Sequence, residues 1–535
     1  MKEIFQYHHD SKHHTDRYAR SPGYLDWENQ PNPFRFYSGT APLRLPLLKE
    51  DPAASHPDLY LRQRNQPQPF ELKNVAGFLE LSLGLSAWKA VSGNKWSLRI
   101  NPSSGNLHPT EAYLLLPEMD ALKSGLYHYN PFLHALELRC FLPDEIWEKV
   151  GQHFKTKSFF VALSSIFWRE SWKYGERAFR YCNHDIGHAL ACLSFSGNLF
   201  GWKVTCLNEL SDRQLETVLG FDRTIYADME NEQAELMCVV YDRRVEDVPR
   251  GLTDETAALL ATSAFAGTPN RLSRSAINWE GIYRAADATR KPRTETRRFR
   301  YGCREDFQTE ISKLSAAAII RKRRSAVAFD PAGSLSREQF LAMLDKTVAR
   351  DGRAPFDMEI SEPCLNLLIF VHAVRDLEMG LYLFLRAEND LQEFKNRLKS
   401  GFLWLPAADG FPLYLLEEKN YRRDAKIISC VQDIAGDSAF SMGMISRFRA
   451  VVEKESFRYR RLFWEAGMIG QVLYLEAEAA GFRGTGIGCY FDDEVHAVMG
   501  LETDHYQSLY HFTVGKPVED RRLQTLGPYH HLEPQ

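Results

Sequence analysis

The chain has 535 residues, 44% of them hydrophobic and 25% charged, with a net charge of −4 and a pI near 6.5. That length suffices for several domains with ample core, and the charge balance gives no electrostatic case for nucleic acid or an anionic membrane as partner. No apolar run approaches a membrane span, the opening residues lack the core of a signal peptide, and nine scattered cysteines without a Cys-x-x-Cys pair read as reduced thiols in a cytoplasmic protein, with no disulfide frame and no metal site.

Residues 1–75 are rich in His, Pro and aromatics. Their prolines and glycines exclude a long helix, and they read as an extended strap lying over the rest. His8, His9, His13 and His14 have no acidic or Cys partner at ligand spacing and read as part of a polar arm. Residues 76–90 carry a helical period, followed by a polar loop at 91–96. Strands are expected at 111–116, 125–129, 159–163, near 207 and at 235–240, with helices at 143–154 and about 171–200. Residues 248–300 hold Pro249, Gly251, Gly267, Pro269 and Pro292 and read as a linker. Beyond it come a helix at 310–320 ending in a basic run, and one at 336–348 opened by a Ser336/Gln339 capping box. Strands at Leu365–Val371 and Gly380–Phe384 and a long helix at about 457–480 precede a last strand at 509–514.

One stretch occurs twice. Residues 179–221 contain Asp185-Ile-Gly187-His188 and Gly201, and residues 459–501 contain Glu465-Ala-Gly467-Met468 and Gly481. Arg180/Arg460, Leu193/Leu473, Asp212/Asp492 and Gly220/Gly500 keep the same spacing without a gap. A period this long is not a solenoid; it reads as two copies of one domain in a single chain.

Four clusters could carry chemistry. Arg323-Arg324-Ser325 is a dense donor set for a phosphate, or an ordinary solvated helix end. Arg99 with Asn101-Pro102-Ser103-Ser104-Gly105-Asn106 suits the polar edge of a planar heterocycle, or is a plain strand-entry turn. Gly484-Thr-Gly486-Ile487-Gly488 lets backbone N–H groups approach a ligand, or is a flexible strand end. Arg169, Lys173 and Arg177 fall on one helical face, where an anion would relieve their repulsion and where clustered cations would lower the pKa of Lys173, beside Tyr174, or they form an ordinary solvated helix face.

In this order and spacing the clusters resemble the FMN-dependent nitroreductase superfamily, and within it the tandem SagB/ThcOx-type (McbC-like) dehydrogenases. The resemblance implies an α+β fold of two nitroreductase-like units, each a central mixed or antiparallel sheet flanked by helices, forming an intramolecular pseudo-dimer. The expected division is a strap at 1–75, units at 76–247 and 301–535, and a linker at 248–300. It implies FMN held by Arg323, Arg324, Ser325, Gly486, Ile487, Gly488, Lys516, Arg521 and Arg522 from one unit and Arg99, Pro102, Ser103, Ser104 and Asn106 from the other. The second unit's counterpart of the Pro-Ser loop, 353–357, lacks the serines, and the first unit has no Arg-Arg-Ser. One FMN per chain is therefore expected. Lys173 and Tyr174 resemble the proton-removing pair of azoline dehydrogenases, so the expected reaction is azoline-to-azole oxidation in a peptide or small molecule. NAD(P)H-dependent reduction of nitro compounds or quinones, and a non-catalytic flavin- or partner-binding scaffold, are the other readings. The chain is expected to act as a monomeric pseudo-dimer or a higher oligomer.

Overall fold

The computed structural model describes residues 1–533 except 63–64, 121, 300, 302–311, 387–390 and 502–503. Strands buried on both faces build two antiparallel sheets with the same internal order. In the first, Gly125–Asn130, Thr110–Leu116, Ser158–Ser165, Gln233–Asp242 and Trp202–Cys206 lie side by side. In the second, Gly380–Phe384, Leu365–Val371, Phe440–Ser446, Gln507–Pro517 and Arg483–Ile487 repeat that order. Each set continues outward through a further hairpin strand, Ala135–Phe141 in one and Phe411–Glu418 in the other.

Two 22-residue helices, Ala178–Leu199 and Arg458–Ala479, lie between the sheets and are buried along almost their whole length. Their apolar side chains join the core, while buried polar groups such as Arg180, Asp185, Arg460 and Glu476 are taken up in ion pairs and hydrogen bonds. They cross at the paired glycines of the repeat. A Cβ at Gly187 would stand 2.1 Å from the Trp464 carbonyl oxygen, and one at Gly467 2.2 Å from that of His184. Only hydrogen atoms fit at the crossing, so the two backbones touch. A single apolar core runs through both helices and the inner faces of both sheets, while the outer faces carry smaller clusters of their own.

Segments also cross between the halves. The opening helix, Lys2–Asp10, places His8 against Tyr459 and Gln507, at 3.3 and 3.1 Å. Gln524–Leu526 adds a strand to the hairpin of Leu85–Val91 and Asn94–Arg99.

Several expectations need correction. The helix expected over 76–90 is a helix at Leu72–Glu80 followed by the strand Leu85–Val91, and the polar loop after it is a tight hairpin turn with Ser92 and Gly93 at positive φ. The long helix expected from about 171 is broken at Gly175, φ 54°, into Phe167–Tyr174, a short turn, and Ala178–Leu199. The stretch read as linker holds the helices Asp254–Ala261 and Glu280–Ala288, the second burying Ile282 and Ala285. The helix expected at 310–320 is seen as Ala316–Lys322, and its first two expected residues lie outside the described ones. The Ser336 capping box is formed as expected.

Candidate active site

A cavity of about 480 Å³ lies between the halves. The first half supplies Arg99, His108, the loop of Pro102 to Asn106, and Tyr181, Asp185 and His188 from its central helix; the second supplies Arg323, Arg324, Ser325, Tyr474, Tyr510 and the segment from Thr485 to Cys489.

The loop is rigid because its polar side chains fold back on it. His108 N–H donates to Ser103 Oγ (2.8 Å), Asn106 Nδ2 to the Ser97 carbonyl (3.0 Å), and Ser104 N–H and Oγ to Asp185 Oδ1 (3.1 and 3.2 Å). Gly105 supplies the left-handed backbone the turn needs, at φ 60°.

Opposite, the helix Ala316–Lys322 ends as Arg323 swings out of helical conformation. Ser325 then pairs with Gly484 as a one-residue parallel bridge, and Thr485 Oγ1 donates to the Ala326 carbonyl at 2.8 Å. Both guanidinium groups reach across to the first half: Arg323 Nη2 donates to the Arg99 carbonyl (2.9 Å) and Arg324 Nη2 to that of Ser86 (3.2 Å). Among the described residues neither is in an ion pair, and Arg323 Nε and Arg99 Nε are buried without a partner. Burial, and then the charge of Arg323, pulls Arg324 down to about 10; burial pulls Arg99 to about 10 as well. The corner thus gathers two guanidinium groups outside any ion pair among the described residues, with Glu478 as a nearby carboxylate.

Gly486 and Gly488 are glycine because tyrosines press on their backbone. A Cβ would fall 1.9 Å from Tyr510 Oη at the first and 2.3 Å from the Tyr181 ring at the second. Tyr474 Oη links the two motifs, lying 2.8 Å from Ser325 Oγ and accepting Gly486 N–H at 3.0 Å.

Beneath the loop lie two buried carboxyl groups. Glu170, fully buried, accepts from Ser103 Oγ at 3.4 Å and leaves Oε2 without a partner. Burial raises Asp185 to about 7 despite its bonds from Ser103 and Ser104; burial and then the charge of Asp185 raise Glu170 well above the usual carboxylate range. Burial also holds His188, lowered to about 3, and His108 neutral.

The structure thus brings Arg99, Pro102, Ser103, Ser104, Asn106, Tyr174, Arg323, Arg324, Ser325, Gly486, Ile487 and Gly488 into one wall. Lys173, Lys516, Arg521 and Arg522 do not line it. Lys173 Nζ stands 5.2 Å from the centre of the Tyr174 ring, with its charge acting on Glu170. Lys516 turns to the Gly481 carbonyl, 3.2 Å, and Arg522 to Asp520, 2.8 Å. The cationic stripe of 169, 173 and 177 is not a face awaiting an anion. Arg169 pairs with Glu111 (2.5 Å) and Arg177 with Asp492 (2.9 Å), because the break at Gly175 turns them apart.

The sequence reading had missed Tyr181, Asp185 and His188 as wall residues. Their signal was present: they stand at i, i+4 and i+7 on a mostly apolar helix, a polar stripe on one face.

Their counterparts 280 residues on, Arg461, Glu465 and Met468, line a cavity of only about 20 Å³ with Tyr301, Phe356 and Ile360. There Cys364 N–H donates to Glu465 (2.8 Å), as Ser104 does to Asp185, but Arg386 also pairs with Glu465, and Arg461 is spent on the Ile360 carbonyl, 2.9 Å.

Residues 320–516 match the sequence model of the nitroreductase family. A protein of Methanocaldococcus jannaschii described as a nitroreductase is 20% identical over 191 residues, 34% of this chain and 90% of that one. A crystal structure from Anabaena variabilis, also described as a nitroreductase, aligns with 96% of this chain and 99% of its own at 22% identity, with a TM-score of 0.69. A chain of the E. coli microcin synthetase McbBCD complex with truncated pro-MccB17 bound aligns with 37% of this chain and 69% of its own at 17% identity and a TM-score of 0.27. Residues 320–516 are therefore a nitroreductase-family domain, set in a chain whose two halves together share the fold of the Anabaena protein.

Proposed function

We propose that the cavity between the halves holds one FMN, and that the chain is an oxidoreductase dehydrogenating an azoline-type heterocycle in a peptide or small molecule. The observation that carries the cofactor is the pair Arg323 and Arg324, the first buried and the second half-buried, which bond carbonyl oxygens but are in no ion pair among the described residues, at one corner of a cavity otherwise walled by tyrosines, glycine backbone and a serine-asparagine loop. A phosphate suits the guanidinium corner. A planar ring suits the Tyr181, Tyr474 and Tyr510 faces and the bare backbone at Gly486 and Gly488. The volume lies within the range of small-molecule and cofactor sites. Arg323, Arg324 and Ser325 would hold the phosphate, and the loop of Ser103 to Asn106 with the glycine segment would hold the ring.

Bound there, FMN supplies two-electron acceptance as hydride. The chain's own residues handle the proton. Dehydrogenation needs a group that accepts a proton as hydride leaves, and Asp185, raised to about 7, can hold or release one near neutrality. Tyr174 reaches the same cavity with its phenol kept protonated by burial, a donor rather than a base, and Lys173 lies against its ring. Reduction of nitro compounds or quinones by NAD(P)H would use the same flavin corner but needs no base in the wall.

The test is a flavin count on the purified full chain, followed by anaerobic mixing with an azoline-containing peptide and, separately, with NAD(P)H. One FMN per chain, bleached by the azoline and with turnover lost in Tyr174→Phe and Lys173→Ala while flavin stays bound, is the expected result. No FMN after reconstitution, or two per chain, sinks the cofactor assignment. Fast bleaching by NAD(P)H with turnover indifferent to residues 173 and 174 replaces the dehydrogenase reading by the reductase one.

A further inference from the structure

Beside the cavity lies a second piece of chemistry that the flavin reading does not use. Cys489 lines the cavity directly after Gly488. The segment 428–432 runs alongside it in the opposite direction: Phe491 N–H donates to the Ile428 carbonyl (2.8 Å), and Gln432 Nε2 to the Cys489 carbonyl (3.1 Å). With 428 against 491 and 432 against 489, Cys430 falls opposite Cys489, close enough for each thiol to shift the other's pKa. Both are half-buried rather than sealed. The other facing pair, Cys206 and Cys238, sits directly cross-strand but is closed inside the core.

The surroundings of the first pair are those of a reactive thiol. His13 is threaded onto the same edge by its bridge to Phe491, and its Nδ1 accepts the Ala19 N–H at 3.0 Å. Its neutral ring therefore carries the proton on Nε2, and its side chain faces Cys489. Arg177 binds the Gly488 carbonyl through Nε and Nη2, at 3.1 and 3.0 Å, which sets a fixed positive charge one residue from the thiol. Tyr18 faces Cys430, and Asp492, held by Arg177 and Arg180, is the nearby carboxylate. The facing Cys430 thiol first, then the His13 ring and the positive charge of Arg177, draw the Cys489 thiol down to about 5 against its burial, while Cys430 is pushed up. A low-pKa thiol beside a protonated partner is the arrangement of a nucleophilic and a resolving cysteine.

We propose that Cys489 and Cys430 are a redox-active dithiol that exchanges with low-molecular-weight disulfides entering through the cavity. The Cys489 thiolate attacks one sulfur of the disulfide, forming a mixed disulfide and releasing one thiolate. The Cys430 thiol then attacks the Cys489 sulfur, its proton leaving with the second thiolate. One small disulfide is reduced to two thiols, and the chain gains a Cys430–Cys489 bond joining the 428–432 segment to the cavity wall. The proposal stands whatever cofactor the cavity takes.

The test uses the full chain as purified, incubated with glutathione disulfide at pH 7, quenched with N-ethylmaleimide and digested without reduction for mass spectrometry. A Cys430–Cys489 cross-link is expected in the wild type. In Cys430→Ser, a stable glutathione adduct on Cys489 is expected, and in Cys489→Ser, Cys430 stays free. Iodoacetamide should label Cys489 at least ~10-fold faster than Cys364, whose thiol burial raises to about 12, at the same pH. No cross-link in the wild type together with no adduct on Cys489 in Cys430→Ser overturns the proposal, as does an adduct found on Cys364 ahead of Cys489. Flavin content, read from the same samples by absorbance, reports separately on the cofactor assignment.

Discussion

At the scale of single residues the site is defined by charges the protein does not neutralise. Arg323 and Arg324 are held on first-half carbonyls, so removing either guanidinium takes a charge from the cavity corner without breaking an ion pair among the described residues. Arg324→Ala should weaken FMN binding by about 10- to 100-fold, a loss of ~1.5–3 kcal/mol, measured by fluorescence titration of apoprotein. Asp185 makes the opposite statement. Its folded-state pKa, about 7, lies above the usual carboxylate value because burial disfavours the charge. Between about pH 4 and 7 an unfolded chain gives up this proton while the folded chain keeps it, so stability falls as pH rises through that window. Asp185→Asn should leave apoprotein stability nearly unchanged at pH 4 and raise it by ~1–4 kcal/mol at pH 8, read from urea denaturation at the two pH values. Glu170, Lys173 and Tyr174 face the same spot, so Glu170→Gln should shift the window. The Arg-Arg-Ser and Pro-Ser-Ser-Gly-Asn motifs were readable in the sequence because each is contiguous and its chemistry lies in the residue types themselves. The raised carboxyl pair was not, because Glu170 and Asp185 owe their protons to a burial that only the assembled halves create.

At the scale of elements the glycine pair of the repeat decides how closely the central helices pass. Gly467→Ala would push a methyl group to within 2.2 Å of the His184 carbonyl oxygen. Since the three nearest atoms there are all backbone, the helices must separate, and a loss of ~3 kcal/mol or more is expected, with a lowered urea midpoint and weakened flavin retention. Gly481→Ala is the contrasting substitution, since nothing stands near its Cβ and only its positive φ resists. The strands were legible where a short apolar run is bounded by turn residues, as at Thr110–Leu116 and Leu365–Val371. Residues 76–90 misled because leucine serves helix and strand alike, and the hairpin that claims Leu85–Val91 depends on partners at 94–99 and 524–526. The cationic stripe misled for another reason: a helical period assumes an unbroken helix, and Gly175 ends it two residues before Arg177.

At the scale of the whole molecule the halves share one core, one crossing and several exchanged segments. Unfolding should therefore be a single cooperative event: loss of helical circular dichroism, tyrosine and tryptophan fluorescence change and release of bound flavin should coincide in one urea transition. Two separated transitions would mean that the halves are thermodynamically independent, against the continuous core. The repeat spacing of 280 residues carries the twofold plan in the sequence itself. What it left unseen was how far the second cavity has closed, since that depends on where Phe356 and Tyr301 come to rest.

The contrast between a 480 Å³ cavity and its 20 Å³ twin has a consequence for how the chain responds to mutation. In an assembly of two identical chains every substitution is written twice, once in each pocket, so a change that helps one role of a position must be tolerated in the other. Here positions 181 and 461, 185 and 465, and 188 and 468 are independent letters. The one set can be tuned for a ligand while the other is spent as ballast for folding, and a library varied at 461, 465 and 468 should yield stability variants whose chemistry is untouched.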